Sequence, residues 1–136
     1  MGREERVLIT KERDIVSARQ QARRMATDLG FGALDQSRIA TAVSELVRNV
    51  VRYATDGKGD VMIRELANGA NGAGIEIVVA DEGPGIVDLR LVMTDGYTSG
   101  QGMGLGLPGT KRLMDDMTIE SEVGRGTVVT IRKWRR

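Results

Sequence analysis

The chain contains no cysteine and no histidine among its 136 residues. The absence of cysteine excludes disulfides, thiolate chemistry and cysteine-ligated metals. The absence of histidine removes the commonest general base, the commonest zinc ligand and any phosphohistidine intermediate. A proton transfer on this chain would therefore depend on another titratable side chain, and a carboxylate is the natural choice.

The chain also lacks a charge excess and a long apolar run. Twenty lysines and arginines stand against nineteen acidic residues, so the formal charge of +1 gives no reason to expect nucleic acid or membrane binding. The basic tail from Arg132 to Arg136 is interpreted as a solvated strand end. The longest near-apolar run, Ile75 to Ala80, is interrupted by Glu76 and is too short to cross a bilayer. The N-terminus has no apolar signal-peptide core, so we expect a cytoplasmic protein.

Aromatic residues make up 3% of the chain, so aliphatic side chains and methionine must fill the core of the single domain expected over residues 1–136. Apolar periodicity predicts an amphipathic helix from Ile15 that ends at a left-handed Gly30, and a second helix capped by Asp35. Strands are predicted at 7–9, 61–66, 75–80, 117–123 and 127–134, and further helices near 89–93 and from 108 to about 116. This order predicts an α+β two-layer sandwich.

Glu45 and Asn49 lie one turn apart on the second predicted helix, on the flank of its apolar stripe. A carboxylate and an amide in this position suit a hard cation, since Mg²⁺ prefers oxygen ligands and keeps several waters. Glu45 also suits proton transfer from an alcohol nucleophile, because the chain has no histidine. Ordinary exposed polar residues would give the same pattern, so the pair alone leaves both interpretations open.

Asp81 ends a predicted apolar strand and is followed by Gly83 and Gly85. A carboxylate fixed there can accept a hydrogen bond from an exocyclic amine such as adenine N6, while the glycines allow the backbone close to the base. Thr127 opens the last predicted strand, where its hydroxyl could reach a purine edge or a water bound to it. A plain turn and an ordinary β-branched strand residue are the alternatives.

A glycine-rich loop over residues 98–106 leads into the predicted helix at Pro108. Successive backbone N–H groups in such a loop form an anion cradle suited to a triphosphate, and a mobile loop of this kind can act as a lid. A surface loop without a ligand is the alternative. Gly104 to Gly109 matches the dinucleotide pattern G-x-G-x-x-G, but no strand precedes it. The order Thr110-Lys111 reverses that of a Walker loop, so both of those motifs are rejected.

These motifs, in this order, resemble those of the Bergerat-fold ATPase superfamily, which includes histidine kinases, gyrase B, Hsp90 and MutL. The resemblance covers roughly residues 39–131 and implies a mixed, mostly antiparallel sheet with helices on one face. It implies that Asn49 carries Mg²⁺, that Asp81 reads the adenine of ATP, and that residues 94–106 form the ATP lid. The implied site comprises Glu45 as the catalytic base and Asn49, Asp81, Gly83, Gly85, Ile86, Gly102, Met103, Gly104, Leu105, Gly106 and Thr127 as nucleotide-binding residues.

Within that superfamily the chain is similar to the small bacterial serine/threonine kinases of the anti-sigma-factor type, and most of all to the stressosome switch kinases. The likeness extends nearly end to end and includes residues 14–20, 30–32 and 106–115. It implies a kinase that uses Mg-ATP to phosphorylate a STAS-domain antagonist protein and, once released, activates a PP2C-type phosphatase. Many relatives have a histidine soon after the asparagine, whereas Arg52 and Tyr53 follow here, so a supporting histidine is missing.

Two functions other than the kinase share part of this pattern. A nucleotide-gated binding module, in which ATP turnover is incidental, would carry the same motifs. The catalytic half of a two-component sensor is disfavoured by the missing histidine, dimerisation helices and membrane segment. A chain this small has little surface for selecting a peptide, so we expect it to recognise a folded partner. Arg48 and Arg112 are the candidates for the docking rim, ordinary solvated residues being the alternative, and homodimerisation stays open.

Overall fold

The computed structural model describes residues 2–68, 72–83, 85, 93 and 106–135. Its elements, in chain order, are β1 (Glu4–Ile9), α1 (Asp14–Asp28), α2 (Ala33–Tyr53), a 3₁₀ turn (Thr55–Gly57), β2 (Gly59–Asn68), β3 (Gly72–Asp81), α3 (Leu107–Leu113), β4 (Asp116–Glu122) and β5 (Gly126–Trp134). The predicted helix near residues 89–93 lies outside the described residues except for Met93. Most of the predicted glycine loop also lies outside them, and Gly106 is its described end.

The five strands form one sheet in the order β1-β2-β3-β5-β4, and all four pairings are antiparallel. Alternation along the strands places their apolar side chains on one face, which α1 and α2 cover. The buried core is aliphatic, as expected: Ile9, Ile15, Met25, Ile39, Val43, Leu46, Val61, Ile63, Ile75, Ile77 and Ile131. The α+β two-layer prediction is confirmed, and the described sheet is wholly antiparallel rather than mixed.

The end of α1 follows the prediction, whereas the cap of α2 and the end of α3 differ from it. Gly30 has a φ of +88° just after α1, as predicted for a left-handed end. Asp35 is not the cap of α2, because the extended Gly32 precedes a helix that already begins at Ala33. Asp35 lies in the first turn instead, where a carboxylate complements the helix dipole, and it pairs with Arg38 at 2.9 Å.

The last helix, α3, ends at Leu113 rather than near residue 116. The reason is the competing strand pairing, since the backbone N–H of Asp115 donates to the carbonyl of Arg132 on β5 at 2.9 Å. Within the described ranges, no helix has the length and hydrophobicity that crossing a membrane requires.

The sheet register places Asp81 beside α2. Asp81 is the last residue of β3 and lies between Gly59 of β2 and Thr127 of β5. A Cβ at Gly59 would lie 2.8 Å from Cγ1 of Val50 and 2.6 Å from the carbonyl oxygen of Ala80. Glycine at this position therefore permits close packing of the C-terminal half of α2 against the strand ends, the region that also holds Asp81.

Candidate functional site

Glu45 and Asn49 are both half-buried on α2, one turn apart, as their spacing predicted. The Glu45 side chain retains 37% of its exposure, so it is available to a ligand. Its Oε1 accepts a hydrogen bond from Nη1 of Arg48 at 2.9 Å. Its Oε2 faces Gly106, where an added Cβ would lie 2.6 Å from that oxygen. One carboxylate oxygen is thus held by a guanidinium and the other lies beside the start of α3.

Gly106 caps α3 with a φ of +69°, a conformation that residues with a side chain rarely adopt. Its carbonyl oxygen accepts hydrogen bonds from the backbone N–H of Thr110 at 2.9 Å and from the Thr110 hydroxyl at 2.8 Å. Thr110 is buried, so this end of α3 is fixed against the core. Glycine is therefore favoured at position 106 for two reasons, the left-handed backbone conformation and the close approach of the Glu45 carboxylate.

The Asp81 carboxylate is half-buried, and burial raises its pKa above the ordinary value of 3.8. Two backbone donors, the N–H groups of Gly83 and Thr127, oppose that shift of the pKa, and the first donates to Oδ1 at 2.7 Å. The bond to Gly83 is the local turn that Asp side chains commonly make. The turn is therefore present, and Asp81 also lines a cavity at the ends of β2 and β3, so the turn does not exclude a ligand-binding role.

We predict that Asp81 makes the stability of the ligand-free protein depend on pH. Because folding raises the Asp81 pKa, the folded chain binds more protons than the unfolded chain between pH 3.8 and the raised value. The contribution of Asp81 to the free energy of unfolding therefore falls as pH rises through this window. This contribution is measured by chemical denaturation of the wild type and of Asp81→Asn at pH values from about 4 to 7. The wild type should lose stability relative to the variant as pH rises, and a constant or growing advantage would contradict the prediction.

Two glycines near Asp81 are required by backbone contacts. Gly85 has a φ of +80°, and a Cβ there would lie 2.5 Å from the carbonyl oxygen of Glu122. At Gly126, with a φ of +132°, a Cβ would lie 2.1 Å from the carbonyl oxygen of Asp81. The segment that follows β3 thus packs directly on the turn between β4 and β5, which joins two motifs that lie far apart in the sequence.

The Thr127 side chain lies opposite Asp81, and its Oγ1 is 2.9 Å from Oγ of Ser121 on β4. The Ser121 hydroxyl is also 3.2 Å from the carbonyl oxygen of Gly126 and donates to it. Sequence reasoning missed Ser121, although counting residues across the β4–β5 turn pairs it with Thr127. A polar residue on the otherwise apolar face of β4 was the available signal.

The described structure brings Glu45 to Gly106, and Asn49 lies one turn further along α2. It places Gly83 and Thr127 against Asp81 at the end of β3, and Gly85 against the turn between β4 and β5. Ile86, Gly102, Met103, Gly104 and Leu105 lie outside the described residues. Of the predicted docking residues, Arg48 pairs with Glu45 and Arg112 is exposed on α3.

The part of the chain that the structure describes holds no group of three or more carboxylates that could form a metal cage. Asn49 offers one amide oxygen beside Glu45. This donor set fits Mg²⁺ that arrives on phosphate oxygens and keeps its waters, because such an ion needs only one or two protein ligands.

Comparison with known proteins identifies close relatives. A serine/threonine-protein kinase of Bacillus subtilis, RsbT, is 49% identical over 130 residues, which is 96% of each chain. The anti-sigma F factor of Thermoanaerobacter sp. (strain X514) is 34% identical over 100 residues, which cover 71% of this chain and 68% of that one.

Solved structures share the fold. The RsbU and RsbW domains of a Mycobacterium tuberculosis protein match all of this chain with a TM-score of 0.67 at 23% identity, although the chain spans only 33% of that larger protein. The catalytic domain of the histidine kinase ThkA matches 96% of this chain and 98% of its own length, with a TM-score of 0.59 at 16% identity. Residues 34–136 match the family described as "Histidine kinase-, DNA gyrase B-, and HSP90-like ATPase". The chain belongs to this ATPase family.

Proposed function

We propose that the chain is a serine/threonine protein kinase that transfers the γ-phosphoryl group of ATP to a partner protein. The proposal rests on the exposure and the contacts of the Glu45 carboxylate. Its carboxylate is half-exposed, has one oxygen bound by Arg48, and presents the other beside Gly106. A positioned carboxylate is the proton acceptor that a chain without histidine requires for an alcohol nucleophile. The 49% identity to a serine/threonine-protein kinase over nearly the whole chain supports the same activity.

In the proposed reaction, the acceptor hydroxyl loses its proton to Oε2 of Glu45 while its oxygen forms a bond to the γ-phosphorus. The bond from that phosphorus to the β,γ-bridging oxygen breaks, and ADP leaves with the electron pair. Asp81 accepts a hydrogen bond from the adenine amine, and Thr127 lies opposite it across the strand pair. Asn49 would hold Mg²⁺, which when bound neutralises phosphate charge. The chain's own part is therefore to orient the reactants and to accept one proton.

We further propose that the acceptor is a STAS-domain antagonist and that the released kinase activates a PP2C-type phosphatase. The similarity to the serine/threonine-protein kinase RsbT and to anti-sigma F factors supports this assignment, because the sequence motifs resemble those of kinases of the anti-sigma-factor type. The chain therefore fits a partner-switching role in which binding and phosphorylation alternate.

A nucleotide-gated binding module is the second candidate, and the similarity to anti-sigma factors at 34% identity favours it. In that function, ATP would regulate the binding of a partner without productive transfer. The kinase and the module require the same nucleotide contacts, so only the fate of the γ-phosphate separates them.

The deciding experiment incubates the purified chain with Mg²⁺, ATP radiolabelled on its γ-phosphate, and a purified STAS-domain protein from the same genome. We expect label on a serine or threonine of the STAS protein, together with equimolar ADP. Nucleotide binding without any labelled protein would overturn the kinase and favour the binding module. Absence of adenine nucleotide binding would overturn both.

A further inference from the structure

We propose that the groove between α2 and α3, here called the acceptor groove, receives the segment of the substrate protein that carries the phosphorylated hydroxyl. The inference deepens the proposed kinase function and rests on it. One wall of the groove is a single face of α2, where Thr41, Glu45, Arg48 and Arg52 recur at the spacing that aligns side chains on a helix. The proposed proton acceptor thus lies in the middle of this wall.

The opposite wall is formed by Gly106, Gly109 and Leu113 of α3 and its cap. Gly109 leaves the wall open, because a Cβ built there would meet no heavy atom within 4 Å. Its φ lies outside the left-handed region, so the backbone places no demand for glycine at this position. Glycine within a short helix costs about 1 kcal/mol relative to alanine. The open space beside Glu45 is what this glycine provides.

The groove is separate from the cavity that contains Asp81. That second cavity is lined by Asp81, Lys58, Gly59 and other residues at the ends of β2 and β3, and it shares no lining residue with the acceptor groove. If Asp81 holds the adenine, the acceptor groove lies away from the base and remains accessible to a second reactant. Glu45 lines the acceptor groove and not the Asp81 cavity, so a hydroxyl that enters the groove can come within hydrogen-bond reach of this carboxylate, as proton transfer requires.

The contacts of the Glu45 carboxylate and the charge around it indicate which kind of segment can bind in the groove. Arg48 holds Oε1, and Oε2 faces Gly106 in the groove lining, so Oε2 is the oxygen that a hydroxyl would approach, to about 2.6–3.2 Å, for that transfer. An extended backbone can bring a serine or threonine to this depth along a wall without side chains at Gly109. The groove lining carries two guanidinium groups, Arg48 and Arg52, against the one carboxylate of Glu45, so its charge disfavours a lysine or arginine next to that hydroxyl and favours a neutral or acidic neighbour. The expected occupant is therefore a serine- or threonine-bearing segment with small, non-basic neighbours.

The test fills the groove without altering the proposed catalytic residues. Gly109→Trp projects a large side chain into the groove, and Gly109→Ala adds only a methyl group and improves helix propensity. The matched control is Gly32→Trp, because Gly32 caps the other end of α2 and its Cβ would also meet no heavy atom within 4 Å. Each variant is assayed for nucleotide affinity by calorimetry and for phosphate transfer to the STAS-domain protein that the wild type labels. Thermal unfolding of each variant verifies its fold.

We expect Gly109→Trp to bind ATP like the wild type and to lose about tenfold or more of its kcat/KM for the protein acceptor, while Gly109→Ala and Gly32→Trp transfer normally. Normal transfer by a folded Gly109→Trp would overturn the inference and leave the kinase intact. A loss of ATP affinity in that variant would also overturn it, because the groove would then belong to the nucleotide. No labelling by the wild type would remove the proposed function itself. If Gly109→Trp does not fold, Gly109→Leu tests the same occlusion with a smaller side chain.

Discussion

Replacing Glu45 by glutamine is expected to reduce phosphate transfer to a protein acceptor by about 10²- to 10⁴-fold, the usual contribution of a positioned general base. Glutamine keeps the shape of the side chain and an oxygen that can accept from Arg48, but it cannot accept the hydroxyl proton. The surroundings of the side chain are therefore preserved and only its basicity is lost. Affinity for ATP should be unchanged, since the proposed adenine contacts lie at Asp81, at the end of β3.

The matched control for this variant is Glu120→Gln. Glu120 is exposed on β4, and its register partner is Val128, so it lies on the face of the sheet opposite to the helices. Transfer to a STAS-domain protein is measured under single-turnover conditions, so that product release does not limit the rate. A Glu45→Gln variant that labels the acceptor at the wild-type rate would refute Glu45 as the base. A variant that loses ATP affinity together with transfer would instead indicate a nucleotide-binding role for Glu45.

Local sequence patterns were sufficient to predict on which helix or strand the candidate residues lie. Glu45 and Asn49 follow from helical periodicity, and Asp81 follows from the end of an apolar strand, because both signals depend only on neighbouring residues. Fold class was predictable for the same reason, since alternation and periodicity report which face each element buries. The prediction that Asp35 caps α2 was wrong because an aspartate in the first turn and an aspartate at the cap give nearly the same sequence pattern.

Contacts between distant segments could not be read from those patterns. The carboxylate of Glu45 faces Gly106, and the hydroxyl of Thr127 meets that of Ser121. The first contact depends on how α3 packs beside α2, and the second on the register of β4 against β5. Tertiary packing fixes both contacts. A shift of one residue in the β4–β5 register would separate the hydroxyls of Thr127 and Ser121. The hydrogen bond from the Arg48 guanidinium to Glu45 was also not predicted, and the role of Arg48 at a docking rim stays a prediction.

The largest effect on stability is expected at Gly126. A Cβ at this position would lie 2.1 Å from the carbonyl oxygen of Asp81 and 2.9 Å from Cα of Glu82, and the φ of +132° already disfavours a side chain. Gly126→Ala therefore adds backbone strain of about 1–2 kcal/mol to an overpacking cost of about 1–3 kcal/mol. We expect the free energy of unfolding, measured by urea denaturation, to fall by about 2–5 kcal/mol in total.

A substitution at the neighbouring Gly124 distinguishes the backbone strain from the overpacking cost. It has a φ of +83° in the same turn, but a Cβ there would meet no heavy atom within 4 Å. Gly124→Ala should therefore show only the strain, and the difference between the variants, about 1–3 kcal/mol, isolates the contact with Asp81. Because that contact lies at the backbone of the proposed adenine-binding residue, Gly126→Ala should also weaken ATP binding at temperatures where it remains folded, whereas Gly124→Ala should not. Equal losses of stability in the two variants would mean that the turn yields to the added methyl group, and the close packing of Gly126 on Asp81 would then have no role in holding the carboxylate in place.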